Sequence, residues 1–234
     1  MPNQPLPGVT ALTFPKALVN AFLVEADVLT LIDTGTPGGA DKILAAIRGA
    51  GHGERDLERI VVTHRHSDHA ANAAELARVT GASVLCSPVD APYIREGTEQ
   101  PRPRPATPLG QVMVPYVKVA LPWSLPAVAA QDSLVGDAMV GPFRVIDTPG
   151  HTAGHVSLLW VDRGVLFAGD AAAHITSLGP HPAADDLATA RQSFASLSHL
   201  EFDAACFGHG RPLIGAAAQF RAAAGQPRPP SRAA

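Results

Sequence analysis

The sequence predicts an α/β fold in which two β-sheets pack face to face with helices outside. Two observations carry it. Short apolar, β-branched runs alternate with Ala-rich stretches in the order strand, helix, strand, helix, strand up to Cys86. A similar order returns after residue 142, where WVDRGVLFAGDA lines up with the earlier VEADVLTLIDTG. Each is followed by a helix and then by a strand ending in a histidine, His64 or His209. Strand ends from two such halves converge on one rim.

Element by element, NAFLVEADVLTLIDTG reads as two strands joined by a tight turn near Glu25 to Asp27 and ending at Asp33. ADKILAAIRGAG is an amphipathic helix with a Gly stop, LERIVVTH a strand, AANAAELARVTG a helix that Gly81 ends, and ASVLC a strand. In the second half FRVIDTP, HVSLLWVD and VLFAGD read as strands, DLATARQSFASLSHL as a helix and FDAACFGHG as a strand. Between them, from about residue 87 to 141, lies a segment with nine prolines between Pro88 and Pro126. Proline removes amide donors and resists helix, so this insert is expected to be extended. It carries Met113, Tyr116, Leu121 and Trp123, which need cover from the body of the protein, a partner subunit or a ligand. A surface wrap, a substrate lid and a homodimer arm are its three readings. Residues 1–225 are expected to form one domain, with 226–234 a disordered tail.

Composition narrows the function. With 18 basic against 21 acidic residues and a net charge of −3, no broad basic surface points to nucleic acid or an anionic membrane. No apolar run approaches a membrane span, and the N-terminal stretch has no charged segment followed by an apolar one, so a soluble cytoplasmic protein is expected. Cys86 and Cys206 end apolar strands and read as buried thiols rather than a disulfide.

The chemistry concentrates in THRHSDH, which places His64, His66, Asp68 and His69 within six residues. Four such side chains at one strand end would desolvate and repel one another unless a cation sat among them. His64 and His66, two apart in extended backbone, face the same way. Asp33, His151, His155, Asp170 and His209 all lie at strand starts or ends as further candidates. His52, His181 and His199 carry no motif and read as surface or structural. His174, four residues after Asp170, reads as structural with a second reading as a substrate contact, and Arg65 as pointing away from the ligands beside it.

H-x-H-x-D-H after a buried strand, preceded by IDTG and followed by TPGHTAGH, a strand ending in GD, and GHG, resembles the metallo-β-lactamase superfamily from about Ala21 to Pro212, outside the insert. The resemblance implies the four-layer αββα sandwich and two divalent metal ions. One ion would be held by His64, His66 and His151, the other by Asp68, His69 and His209, with the Asp170 carboxylate bridging. Asp68 and Asp170 would be the catalytic carboxylates, and Asp33 and His155 would support the ligands from behind. Zn²⁺ is the expected metal, with Fe and Mn²⁺ also suited to these donors.

The reaction so implied is hydrolysis of a small-molecule ester, thioester or lactone by a metal-bound hydroxide. The alternative is a mononuclear iron oxidoreductase of the same fold, similar to a persulfide dioxygenase. Among hydrolase branches, a glyoxalase II would be expected to continue further beyond His209. An acyl-homoserine lactonase would have a tyrosine near Ala173 and His174. Substrate choice is expected to reside in the insert, with Tyr116 and Trp123 as candidate contacts on an apolar wall and Arg102 or Arg104 meeting an anionic group.

Overall fold

The computed structural model describes residues 6–15, 18–102, 104–105, 108–120, 122 and 124–225. Its first six-stranded sheet runs in the order Val9–Phe14, Val19–Glu25, Leu29–Ile32, Leu57–Val61, Ser83–Leu85 and Ala130–Gln131. The second runs Leu213–Ile214, Ala204–Cys206, Val165–Phe167, Val156–Trp160, Phe143–Asp147 and Met139–Val140.

The likeness of the halves is visible in the pairing. Val19–Glu25 and Leu29–Ile32 form an antiparallel hairpin, and Leu29–Ile32 then pairs parallel with Leu57–Val61. In the second half Val156–Trp160 and Val165–Phe167 form the hairpin, and Val165–Phe167 pairs parallel with Ala204–Cys206. His64 and His209 each follow the parallel strand by three residues.

Both faces of the sheet's inner strands are covered, which is why VNAFLV and LTLI are buried without alternation. Phe22, Val24, Ile32 and Val61 point inward and meet Phe143, Val145, Leu158 and Phe167 of the second sheet. The Phe22 and Phe167 rings sit edge to face at 5.5 Å. The opposite side chains, Ala21, Leu23 and Leu31, pack with Ile43 and Ile47 of the helix Ala40–Gly49 and Leu76 of the helix Ala73–Thr80. On the far side Leu159, Leu166 and Phe207 pack with Phe194 of the helix Leu187–Leu197 and Phe220 of the helix Ala216–Ala223. The layers are helix, sheet, sheet, helix.

The insert differs from the extended excursion expected of it. Ala91–Glu96 and Pro108–Ala120 are helices. Pro92 and Pro108 stand in the first turns of these helices, where no intrahelical N–H bond is required, so most of the proline penalty does not apply. Pro115 alone interrupts a helix interior. The strand Val9–Phe14, which exists through pairing with Val19–Glu25, and the helix Ala216–Ala223 are among the elements that carried no expectation. Leu121, Trp123, the Met113 side chain and the expected tail at 226–234 lie outside the described residues.

Core burial and exposure give a paired expectation. Phe167→Ala should lower the unfolding free energy by about 3–5 kcal/mol, because the ring is buried between the sheets against Phe22 and Phe143. Tyr116→Ala, at a side chain 65% exposed, should change it by less than about 0.5 kcal/mol. Urea unfolding of the two variants checks both, and similar midpoints would contradict this packing.

Candidate metal centre

The rim site begins with a backbone strain. Asp33 follows the strand Leu29–Ile32 with φ of 59°, a region that Asp tolerates better than most residues, and its N–H donates to Val61 O at 2.8 Å. This turns its buried carboxylate under the neighbouring strand end. There it accepts from Thr63 N at 2.8 Å, from the Thr63 hydroxyl at 2.9 Å and from His69 Nδ1 at 2.9 Å.

Those bonds set tautomers. The Thr63 hydroxyl gives its proton to Asp33 and so accepts from His64 Nδ1 at 3.1 Å, which leaves His64 Nε2 with its lone pair. His151 likewise keeps Nε2 free by donating from Nδ1 to Ala183 O at 2.8 Å, and His69 donates from Nδ1 to Asp33. His66 instead turns Nδ1 inward, 3.1 Å from His64 Nε2 and 2.9 Å from His151 Nε2. Three imidazole nitrogens therefore meet face to face. On the other side Asp68 Oδ2 lies 3.5 Å from His209 Nε2 and 4.0 Å from His69 Nε2.

Asp170 stands between the groups. Its Oδ2 is 3.3 Å from His151 Nε2 and 3.4 Å from His209 Nε2, and its Oδ1 is 3.6 Å from His69 Nε2. Asp170 is positioned by His155, whose Nε2 accepts from Asp170 N at 2.8 Å while Nδ1 meets the Thr148 hydroxyl at 2.8 Å. Gly208 permits the approach, since a Cβ there would come within 2.0 Å of Asp170 Oδ1. The neighbouring backbone is tied across the sheets by Asn20, whose amide donates to Phe207 O and Gly210 O.

All seven expected ligand residues are thus drawn together, and Asp33 and His155 lie behind them. Arg65 points away, as expected, into a buried pair with Asp90 at 2.8 Å and a second with Asp185 at 2.5 Å. His174 is drawn elsewhere: its Nδ1 meets Arg211 O at 3.1 Å and its ring packs on Phe207. Tyr116 faces solvent. One reading is corrected. His181 is buried, not on the surface, and only its Nδ1 is satisfied, by Ala183; its ring lies 4.6 Å from that of His151 and its Nε2 3.5 Å from Asp170 Oδ2. No motif surrounds it because the segment that carries it is placed by a distant partner, as Arg104–Pro105 pairs with Ala183–Ala184.

The donor set fits divalent metal ions. His69 Nε2 and Asp170 Oδ1 are buried with no hydrogen-bond partner among the described residues, an arrangement that is costly unless a cation satisfies it. Groups of His64, His66 and His151, and of Asp68, His69 and His209, each bring ligand atoms within 4.8 Å of one another. Burial holds His64 and His151 well below their ordinary value and takes His66 and His155 to about 3, so these rings stay neutral. Burial alone would also lower His69, but Asp170, Asp33 and Asp68 outweigh it and raise the ring to about 10. Asp68 and Asp170 would be raised by burial, yet the surrounding imidazoles, His69 first for Asp68 and His209 first for Asp170, hold both down as carboxylates.

Two pH effects follow for the metal-free protein. Unfolded histidines take up protons near 6.5 while folded His66 and His155 refuse them until about 3. The folded state should therefore lose stability as pH falls from 6.5 towards 3, measurable as a falling urea midpoint after chelation. His69 has the opposite sign, and its contribution is complete below 6.5 and lost as pH rises towards 10. Metal loading at pH 8 should accordingly release at least about one proton per chain, which calorimetry in buffers of different ionisation enthalpy reads directly. Release of none would contradict a charged His69.

Comparison with known proteins gives one consistent answer. The model of the metallo-beta-lactamase superfamily matches residues 15–209. A probable metallo-hydrolase of Bacillus subtilis, YflN, is 30% identical over 232 residues, covering 89% of this chain and 86% of that protein. An uncharacterized Bacillus subtilis protein, YobT, is 35% identical over 167 residues, and the match spans 70% of this chain and 66% of YobT. A hydroxyacylglutathione hydrolase of Alkalilimnicola ehrlichii is 32% identical over 135 residues, but that match covers 58% of this chain and only 40% of the enzyme. Among solved structures, TTHA1623 in a di-iron-bound form superimposes with a TM-score of 0.64 at 23% identity, covering 92% of this chain and 97% of its own.

Proposed function

This chain belongs to the metallo-β-lactamase superfamily and is a metal-dependent hydrolase, and we propose that it is a binuclear one acting on the carbonyl of a small-molecule ester, thioester or lactone. The observation that carries the reading is Asp170, a single carboxylate facing His151 and His209 through one oxygen and His69 through the other. His64, His66 and His151 would hold one ion and Asp68, His69 and His209 the second, with Asp170 shared. When bound, such a pair supplies Lewis acidity and an activated water at neutral pH.

The chain's own residues do the remainder. Asp33, Thr63 and the Ala183 carbonyl fix Nδ1 protons on His69, His64 and His151, so that Nε2 is the nitrogen left for an ion, on His69 once its second proton has gone. Asp68 is kept ionised, as a ligand carboxylate must be, with Oδ2 turned to His209 and His69. His155 holds the Asp170 backbone and thereby aims its carboxylate. A thioester is among the substrates favoured because a hydroxyacylglutathione hydrolase is a relative. A net charge of −3 favours a small carbonyl compound over a nucleic acid. Zn²⁺ suits this imidazole and carboxylate set. No helix among the described residues is long and apolar enough to cross a membrane. The two buried free thiols fit the cytoplasm as the compartment.

Elemental analysis of metal-replete protein should find two ions per chain, and a panel of lactone, thioester, β-lactam and phosphodiester substrates should show turnover on a carbonyl compound. A single tightly held iron would favour the oxidoreductase instead. Asp170→Ala should lower turnover by about 10³-fold or more and weaken both ions, whereas His155→Ala should keep the stoichiometry. Normal metal content and turnover in Asp170→Ala would remove the shared-ligand assignment.

A further inference from the structure

Beyond the seven ligand positions one further buried imidazole stands at the site, its ligand atom within 4.8 Å of those of His151 and Asp170. His181 is 8% exposed, and its Nε2 has no hydrogen-bond partner among the described residues although it lies 3.5 Å from Asp170 Oδ2. Its ring centroid is 4.6 Å from that of His151 and 5.0 Å from that of His209, so it flanks the place where the two ligand groups meet. A buried polar atom aimed into a site without a partner there is expensive unless something arriving in the site satisfies it.

The geometry points to His181 as a catalytic residue that donates a hydrogen bond from Nε2–H to the oxyanion developing on the substrate carbonyl, an inference that rests on the carbonyl-hydrolase reading above. Ala183 sets the tautomer. Its carbonyl accepts from His151 Nδ1 at 2.8 Å, which leaves Nε2 of that ring as a ligand. Its N–H lies 3.2 Å from His181 Nδ1 and can only donate, so Nδ1 accepts and the proton of the neutral ring stands on Nε2. Donation from the same Nδ1 to Ala183 O, 3.1 Å away, would instead set the Ala183 N–H against a ring N–H. One backbone residue thereby sets two neighbouring imidazoles in opposite tautomers, one a ligand and the other a donor. Nε2–H then faces Asp170 Oδ2 at 3.5 Å, a favourable approach.

The donor is held before substrate arrives, which is what makes such a group effective. Ala183–Ala184 pairs with Arg104–Pro105 of the insert, and Asp185 N donates to His151 O at 3.1 Å. The Asp185 carboxylate is tied to Arg65 at 2.5 Å. The helix Pro108–Ala120 packs on the same segment so closely that a Cβ at Gly110 would come within 2.0 Å of Pro182 O. The insert thus braces a residue of the reaction.

Three measurements on the full-length, zinc-loaded protein decide. Two-bond ¹H–¹⁵N correlation spectra, with His181 assigned by its loss in His181→Gln, should show the ring protonated at Nε2 and bare at Nδ1. His181→Ala should retain two ions per chain and a KM within about three-fold, while kcat falls by about 10²–10³-fold. His181→Gln, whose amide N–H reaches a similar position, should recover at least about ten-fold of that loss. Calorimetric binding of butyrate, whose carboxylate resembles the developing charge, should weaken in His181→Ala. Loss of one ion in His181→Ala would make the residue a ligand. An unchanged kcat and butyrate affinity, or a proton on Nδ1, would make it structural. If the wild type turns over nothing in the substrate panel, the hydrolase reading fails by itself, and the spectra and butyrate binding still decide for or against the donor.

Discussion

The site's geometry depends on a buried ion pair that takes no part in the chemistry. Arg65 and Asp90 are 2% and 1% exposed at the side chain, and a charge so deeply desolvated is tolerated only when nearly every donor and acceptor is matched. Asp90 receives Arg65 N at 3.0 Å, the Arg65 guanidinium at 2.8 Å and the Thr152 hydroxyl at 2.9 Å. Arg65 in turn reaches Asp185, and its carbonyl accepts from Gln100. The loop bearing His64 and His66, the loop bearing His151, the segment after His181 and the start of the insert are therefore fastened at one point. Moving any of them breaks a hydrogen bond in a medium that offers no replacement.

A different logic governs the ligands themselves. Burial makes most of the imidazoles poor bases, while the carboxylates around His69 make that ring a strong one. The folded chain thus keeps three neutral donors together with a cationic ring that offsets part of the negative charge of Asp33, Asp68 and Asp170. Much of the work of holding this arrangement falls to backbone atoms and hydroxyls, such as Ala183 and Thr63, whose positions are set by strand pairing and turn geometry. Residues of that kind have no signature of their own.

That division explains what could be read from the sequence. LTLI and VSLLW are buried along their whole length and LERIV at the end nearest the site, so these strands announce themselves, and the ligands stand within a few residues of their ends. The two-residue spacing of His64 and His66 and the order of the TPGH, GD and GHG motifs follow from the same strand ends. His181 was hidden because it stands between very short bridges, Leu178–Gly179 and Ala183–Ala184, with no periodicity to betray it. Its setting arises from a pairing with Arg104–Pro105 across most of the insert. The insert's helices were hidden for a related reason, since proline count says less than proline position. Asn20 offered a faint signal, a lone amide in the apolar run VNAFLV, but its partners Phe207 and Gly210 lie at the other end of the chain.

The matching halves of the fold have a thermodynamic corollary. The first half contributes His64, His66, Asp68 and His69, and the second contributes His151, Asp170 and His209, so neither of the two ligand groups is complete within one half. An ion held by either group would act as a cross-link between sheets that otherwise adhere through apolar contact alone over much of their area. Docking of the halves and affinity for the ion then become reciprocal quantities, each strengthened by the other to the same extent. Mutations deep in the intersheet core, far from any imidazole, acquire in this way a route to the metal.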